Sequence, residues 1–155
     1  MKTKLLLAFV AGLFSFSAFA QKLGQEMAVY AEKRGNDYYL LRLAQDKPIP
    51  KVYVYSNGQT KVYKDYKDLK EVAMDFPGIV TSNKSTKEEL VSILNKDNHF
   101  YEITSQRKDP NNFEKTTVTV YEVSNGQKRI VEEYGSIMEL VMSPYKDAIF
   151  IDIKK

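Results

Sequence analysis

Residues 52–76 read VYVYSNGQTKVYKDYKDLKEVAMDF, and residues 120–144 read VYEVSNGQKRIVEEYGSIMELVMSP. The two align without a gap at an offset of 68, and nine of the 25 positions are identical: Val52/Val120, Tyr53/Tyr121, Ser56/Ser124, Asn57/Asn125, Gly58/Gly126, Gln59/Gln127, Tyr66/Tyr134, Glu71/Glu139 and Met74/Met142. Unrelated segments of ordinary composition share about one or two. Lys61/Arg129, Val62/Ile130, Leu69/Ile137 and Val72/Leu140 are conservative pairs. These matches point to an internal duplication. The competing reading is convergence on a common strand-turn-strand-helix pattern, because Asn-Gly turns recur for local reasons.

The physics of the shared unit is readable. Asn and Gly tolerate the positive φ that both central residues of a two-residue hairpin turn require. Asn57-Gly58 and Asn125-Gly126 therefore predict two tight hairpins, in which Tyr53 faces Val62, Tyr55 faces Thr60, Tyr121 faces Ile130 and Val123 faces Lys128. On the opposite face Val54 meets Lys61, and Glu122 meets Arg129. Leu69, Val72, Ala73 and Phe76 then fall at helical spacing, as do Ile137, Leu140, Val141 and Pro144. Asp68 with Glu71, and Ser136 with Glu139, open these helices as caps. One stripe of each helix is expected to cover the Tyr53 and Tyr121 face.

Working outward, Tyr38–Ala44 and Phe100–Ser105 read as strands preceding the two hairpins, each followed by a polar, Pro-containing loop (45–50 and 106–112). Ile79–Thr81 and Ala148–Ile151 read as short strands returning after the helices. The expected fold is therefore α+β, with antiparallel sheet or sheets built from two tandem β-β-β-α-β halves, about residues 37–82 and 99–153. Ser85-Thr86-Lys87-Glu88 resembles a capping box, and Leu90, Ile93 and Leu94 form one stripe, so the halves are expected to be joined by an amphipathic helix at about 86–96. An extra strand, Met27–Glu32, enters the first half through a turn at Arg34-Gly35-Asn36. All of this is expected within one domain, 21–155.

The first 20 residues read as a cleavable export signal. Lys2 and Lys4 precede an apolar run that ends in Ala18-Phe19-Ala20, an A-x-A site that makes Gln21 the expected new N-terminus. The run is short of the about 20 residues that a membrane span needs. The expected location is the bacterial periplasm or beyond. Removing residues 1–20 takes two lysines and lowers the formal charge from +3 to +1, which gives no support for nucleic-acid binding. The chain has no Cys, which removes disulfides, thiolate catalysis and zinc-thiolate sites together.

Few residues of the chain are arranged for chemistry. The one histidine, His99, stands at a strand entrance and reads as a polar surface residue. Ser143-Pro144-Tyr145-Lys146 spells S-x-x-K without the companion motifs of that chemistry. Asp109–Glu114 gathers oxygen donors, but in no EF-hand spacing, and reads as a solvated turn. No cofactor and no metal are expected. What remains is the tyrosine content of the strands, since Tyr suits half-buried surface and contact hot spots. Tyr63, Tyr55, Lys61 and Arg129 are the candidate binding residues. The expected function is that of a non-enzymatic interaction module of the envelope, an inhibitor, immunity-type or accessory factor whose partner is another envelope or secreted protein. The alternative is a module that binds a small ligand or glycan on a Tyr-lined surface.

Overall fold

A computed structural model describes residues 25–44, 49–82 and 85–152. The export signal and its cleavage site lie outside these residues, as does most of the loop expected at 45–50. The elements are β1 (Gln25–Arg34), β2 (Asp37–Ala44), β3 (Pro50–Ser56), β4 (Gln59–Asp65), α1 (Leu69–Asp75), α2 (Gly78–Ser82), β5 (Glu88–Lys96), β6 (His99–Asp109), β7 (Asn112–Ser124), β8 (Gln127–Tyr134), α3 (Ile137–Val141), a 3-10 turn (Lys146–Ala148) and β9 (Phe150–Asp152). The fold is α+β, with one antiparallel sheet ordered β4-β3-β2-β1-β9 and another ordered β5-β6-β7-β8. Among the described residues the chain forms two compact units, 25–82 with 150–152, and 85–149.

The hairpin registers follow from the Asn-Gly turns. Tyr53 pairs with Val62, Tyr55 with Thr60 and Val54 with Lys61; Tyr121 pairs with Ile130, Val123 with Lys128 and Glu122 with Arg129. At the tips Asn57 and Asn125 have φ of 51° and 52°, and Gly58 and Gly126 have 76° and 75°.

The duplication runs further back than the sequence match. Each unit begins with a hairpin, β1-β2 and β5-β6, related by an offset of 62. Val29 is the extra residue of a bulge in β1, and Val91 holds the same place in β5. Tyr63 is the extra residue in β4, and Val131 holds the same place in β8. A bulge leaves one residue unpaired and bends its strand. Its recurrence at matched positions in both hairpins of both units is hard to obtain by convergence on a turn.

Corrections fall on the connector, on two flanking segments and on the face that the helices cover. The connector expected as a helix at about 86–96 is strand β5, so each unit is β-β-β-β-α. The bulge at Val91 puts Leu90 opposite Thr104 and Ile93 opposite Glu102, on one face of the sheet and three residues apart, which imitates a helical stripe. Ser85 and Glu88 do not form a capping box either. The Ser85 hydroxyl accepts from the Lys87 amide at 3.1 Å, and the Glu88 carboxylate accepts from Thr104 and Tyr121 hydroxyls. Second, Ile79–Thr81 is part of helix α2, not a returning strand. Gln106–Asn112 is likewise no loop, because β6 and β7 continue to a tip at Pro110-Asn111, where the Asp109 carboxylate accepts the Asn111 amide at 2.9 Å.

Third, the helices lie on the face opposite Tyr53 and Tyr121. The Phe76 ring at the end of α1 sits 5.5 Å from Tyr39 and 6.2 Å from Tyr63. In the second unit the Ser92 hydroxyl donates to the Ala148 carbonyl, and Tyr101 packs edge-on against Tyr145 at 5.3 Å. That face supplies the aliphatic core, Leu41 and Val52 in one unit and Ile103, Val118 and Val120 in the other. The tyrosine face carries hydroxyls and charges that a helix stripe of Leu and Val could not satisfy. The bulges at Tyr63 and Val131 each fall six residues before the helix that follows.

The caps read from sequence are present. Asp68 accepts from the Glu71 amide at 2.9 Å and Ser136 from the Glu139 amide at 3.2 Å, while Glu71 and Glu139 each reach back to an amide at 2.8 Å, those of Lys67 and Gly135.

Candidate functional site

Three constellations recur in the two units at matched positions. The first joins the first strand of each unit to its tyrosine hairpin. The Tyr53 hydroxyl donates to Glu26 Oε2 at 2.8 Å, and the Tyr121 hydroxyl donates to Glu88 Oε1 at 2.8 Å. Burial raises the Tyr53 pKa further than its bond to Glu26 does, whereas for Tyr121 the bond to Glu88 comes first and the hydroxyl is pushed up to about 12. The third member differs. Arg42 occupies the place of Thr104, is 2% exposed, and is pulled down to about 10 by burial against the attraction of Glu26. Thr104 instead donates to Glu88 at 2.5 Å. A carboxylate that is buried, as Glu26 is, needs a counter-charge, whereas the exposed Glu88 is served by two hydroxyls.

The second constellation lies where the helix ends over the sheet. Arg34 stacks on the Phe76 ring at 4.4 Å, pairs with Glu32 at 2.7 Å and donates to the Asp75 carbonyl at 2.7 Å. Lys96, its counterpart in the second unit, donates to the Pro144 carbonyl at 3.0 Å. A cation from the first hairpin thus meets a carbonyl at the end of α1 and just past α3, where the carbonyl ends favour positive charge. In the first unit Asp75 also accepts from the Tyr66 hydroxyl at 2.8 Å, which together with Lys64 holds its carboxyl below the usual range.

In the second unit the same rim holds His99. Its Nδ1 lies 2.5 Å from Glu122 Oε1, its ring stacks on Tyr101 at 6.3 Å, and Glu122 Oε2 accepts from Arg129 at 2.5 Å. Arg129 first, and His99 second, hold the Glu122 carboxyl below the usual range. The first unit has Asp37, Tyr39, Val54 and Lys61 at these places, so the charge chain belongs to one unit only. The sequence pairing of Glu122 with Arg129 was readable from the turn. The tie to His99 was not, because it depends on the register of β6 against β7, which no short turn of known type announces.

The third is the exposed edge. Strand β4 is exposed at every position, and β8 at most of them. Val62 and Ile130, matched across the units, are each 53% exposed. Of the four candidate binding residues, Tyr63 and Lys61 share this edge. Tyr63 is 47% exposed and stands edge-on to Tyr39 at 5.1 Å; Lys61 is exposed opposite Val54. Tyr55 is on the other face of β3, half-buried and 6.2 Å from Tyr38. Arg129 is on β8 of the second unit, at the place matching Lys61. Lys128, its neighbour, pairs with the buried Glu102.

The S-x-x-K serine has a local structural task. The Ser143 hydroxyl donates to the Leu140 carbonyl at 2.6 Å and accepts from the Tyr145 amide at 3.0 Å, closing the end of α3. Among the described residues no three His, Asp or Glu side chains gather closely enough to hold a metal ion. Comparison with family models, with curated proteins and with solved structures found no match.

Proposed function

We propose that the chain is an exported, non-enzymatic protein-interaction module of the bacterial envelope, of the inhibitor, immunity or accessory kind, which meets another envelope or secreted protein along edge strands β4 and β8. One observation carries this reading: the two edges expose a branched apolar residue at the same place and to the same extent, Val62 and Ile130 at 53% each. Each has a cation beside it, Lys61 or Arg129. An edge strand offers unpaired backbone donors and acceptors that an extended partner segment can complete, with alternate side chains giving specificity. The serine of the S-x-x-K spelling, Ser143, is occupied in closing a helix end.

The test is site-specific photo-cross-linking in the native envelope, with the cross-linker at position 62 or 130 and a control off the edge strands, at the exposed Asn36 in the β1-β2 turn. The expected result is one partner captured from the edge positions and lost with Val62→Asp or Ile130→Asp. Capture of nothing at either position, by a chain that is a rigid monomer in solution, would count against the reading.

A second reading rests on the Tyr63 ring, half-exposed beside Tyr39 and Phe76. Such a platform can stack on a glycan face. A change in tyrosine fluorescence on glycan titration, absent in Tyr63→Ser, would favour it over the protein partner.

A further inference from the structure

The nine identities shared by the copies can be sorted by what they do. Val52 and Val120 are core. Tyr53 and Tyr121 bond their glutamates. Ser56 pairs with Gln59 and Ser124 with Gln127 to close the turns, whose Asn and Gly residues supply the positive φ. Tyr66 is buried and Tyr134 half-buried at the strand ends. Glu71 and Glu139 complete the caps. Eight identities therefore have a reason inside the fold. The ninth, Met74/Met142, does not: each side chain is 81% exposed.

Exposure of a long apolar side chain stabilises nothing, and a lysine or glutamate would serve a helix surface as well. What methionine offers at such a site is its sulfur. The chain contains no Cys, so thioethers are its only sulfur. Of the others within the described residues, Met27 is 4% exposed in the core of β1 and Met138 is half-buried.

We propose that Met74 and Met142 are a matched pair of oxidation sites, taken to the sulfoxide by peroxide-class oxidants and returned by methionine sulfoxide reductases while the fold stays intact. In the forward step the sulfur lone pair attacks the peroxide oxygen and the O–O bond breaks. One oxygen atom passes to sulfur, which loses two electrons, and the peroxide leaves as water. In the return step two reductase thiols become a disulfide, the sulfoxide regains two electrons, and its oxygen leaves as water. Sulfoxide formation normally damages a protein by placing a polar group in packed surroundings. Here the side chains are in water at the ends of α1 and just past α3, so the modification leaves the core undisturbed. The inference is independent of the proposed partner contact.

The test is a hydrogen peroxide titration of the purified protein, read by peptide mass mapping and near-ultraviolet circular dichroism. Met74 and Met142 are expected to gain one oxygen each, at rates within about threefold of one another and at least about tenfold above Met27, with the dichroism unchanged. Methionine sulfoxide reductases of both stereospecificities, supplied with a dithiol, are expected to remove both oxygens. The variant Met74→Leu/Met142→Leu should lose the fast uptake and melt as the wild type does. Comparable oxidation of Met27, rates for Met74 and Met142 more than about tenfold apart, unfolding at two equivalents, or sulfoxides that the reductases leave in place would each overturn the proposal.

Discussion

Arg42→Thr gives the first unit the residue that the second carries at the matching position, and it is expected to be strongly destabilising there. In the second unit Glu88 is exposed, and two hydroxyls suffice for its carboxylate. Glu26 is buried beside Arg42, which is itself 2% exposed. With its pKa pulled down to about 10, the guanidinium remains charged at neutral pH against a net penalty on the order of 3 kcal/mol, after the attraction of Glu26 is counted. A pair in that position contributes little as a whole but is costly to break, because either single removal leaves a lone buried charge, at about 3–5 kcal/mol. Glu26→Gln and Arg42→Thr should therefore each lower stability by that amount, and the double variant by less than either. The coupling, the sum of the single losses less the double, should therefore be at least about 3 kcal/mol. Equilibrium urea unfolding at pH 7, followed by far-ultraviolet circular dichroism with all four proteins at equal concentration, measures the cycle. If Arg42→Thr unfolds within about 0.5 kcal/mol of the wild type, or the double variant is weaker than both singles, burial does not make Glu26 depend on the guanidinium and the reasoning fails.

The duplication supplies paired tests. Gly58→Ala and Gly126→Ala place a Cβ where nothing lies within 4 Å, so the cost is backbone conformation alone, about 1 kcal/mol each and equal within about 0.3 kcal/mol by urea unfolding. Asp68→Ala and Ser136→Ala each remove a helix cap and should cost about 1 kcal/mol, read as lost amide protection at the start of α1 or α3 by hydrogen exchange. The Glu122 carboxyl is depressed in the folded protein, so its contribution is present above the ordinary carboxylate pKa and fades as pH falls through the folded value. Arg129→Ala should move that pKa upward in a carbon-detected NMR titration; an unchanged value would mean that the ion pair is not formed in solution.

How much of this was legible depended on whether a residue's local chemistry left one outcome. Asn57-Gly58 and Asn125-Gly126 leave a two-residue turn, and the register of both hairpins follows from it. Asp68 with Glu71 and Ser136 with Glu139 leave a helix start. The turn at Asp97-Asn98 has positive φ at both residues, 53° and 63°, without a glycine to announce it. With that turn unread and the bulge at Val91 converting a period of two into a step of three, β5 could only look helical. The buried face was misassigned for a different reason. Tyrosines facing Val62 and Ile130 look like core by hydropathy, but each hydroxyl needs a partner, and Glu26 and Glu88 lie too far along the chain to be paired with them from sequence. The candidate site was legible at Tyr63 and Lys61, whose exposure follows from β4 being an edge. The His99–Glu122–Arg129 chain required a third strand.

A duplicated chain makes each copy a natural variant of the other, and the pattern of agreement separates folding from surface roles. Turn, cap and core positions repeat because the same ladder must form twice. Rim positions diverge, with Asp37 against His99 and Val54 against Glu122, because either pair is compatible with the ladder. Drift at the rim is what neutrality predicts for exposed positions. Agreement at an exposed position is then the informative case. Val62 with Ile130 and Met74 with Met142 stay apolar at 53% and 81% exposure, where the fold would accept almost any residue and where apolar surface carries a solubility cost. Ladder geometry does not explain either pair, and these are the positions on which the proposed edge contact and the proposed oxidation chemistry rest.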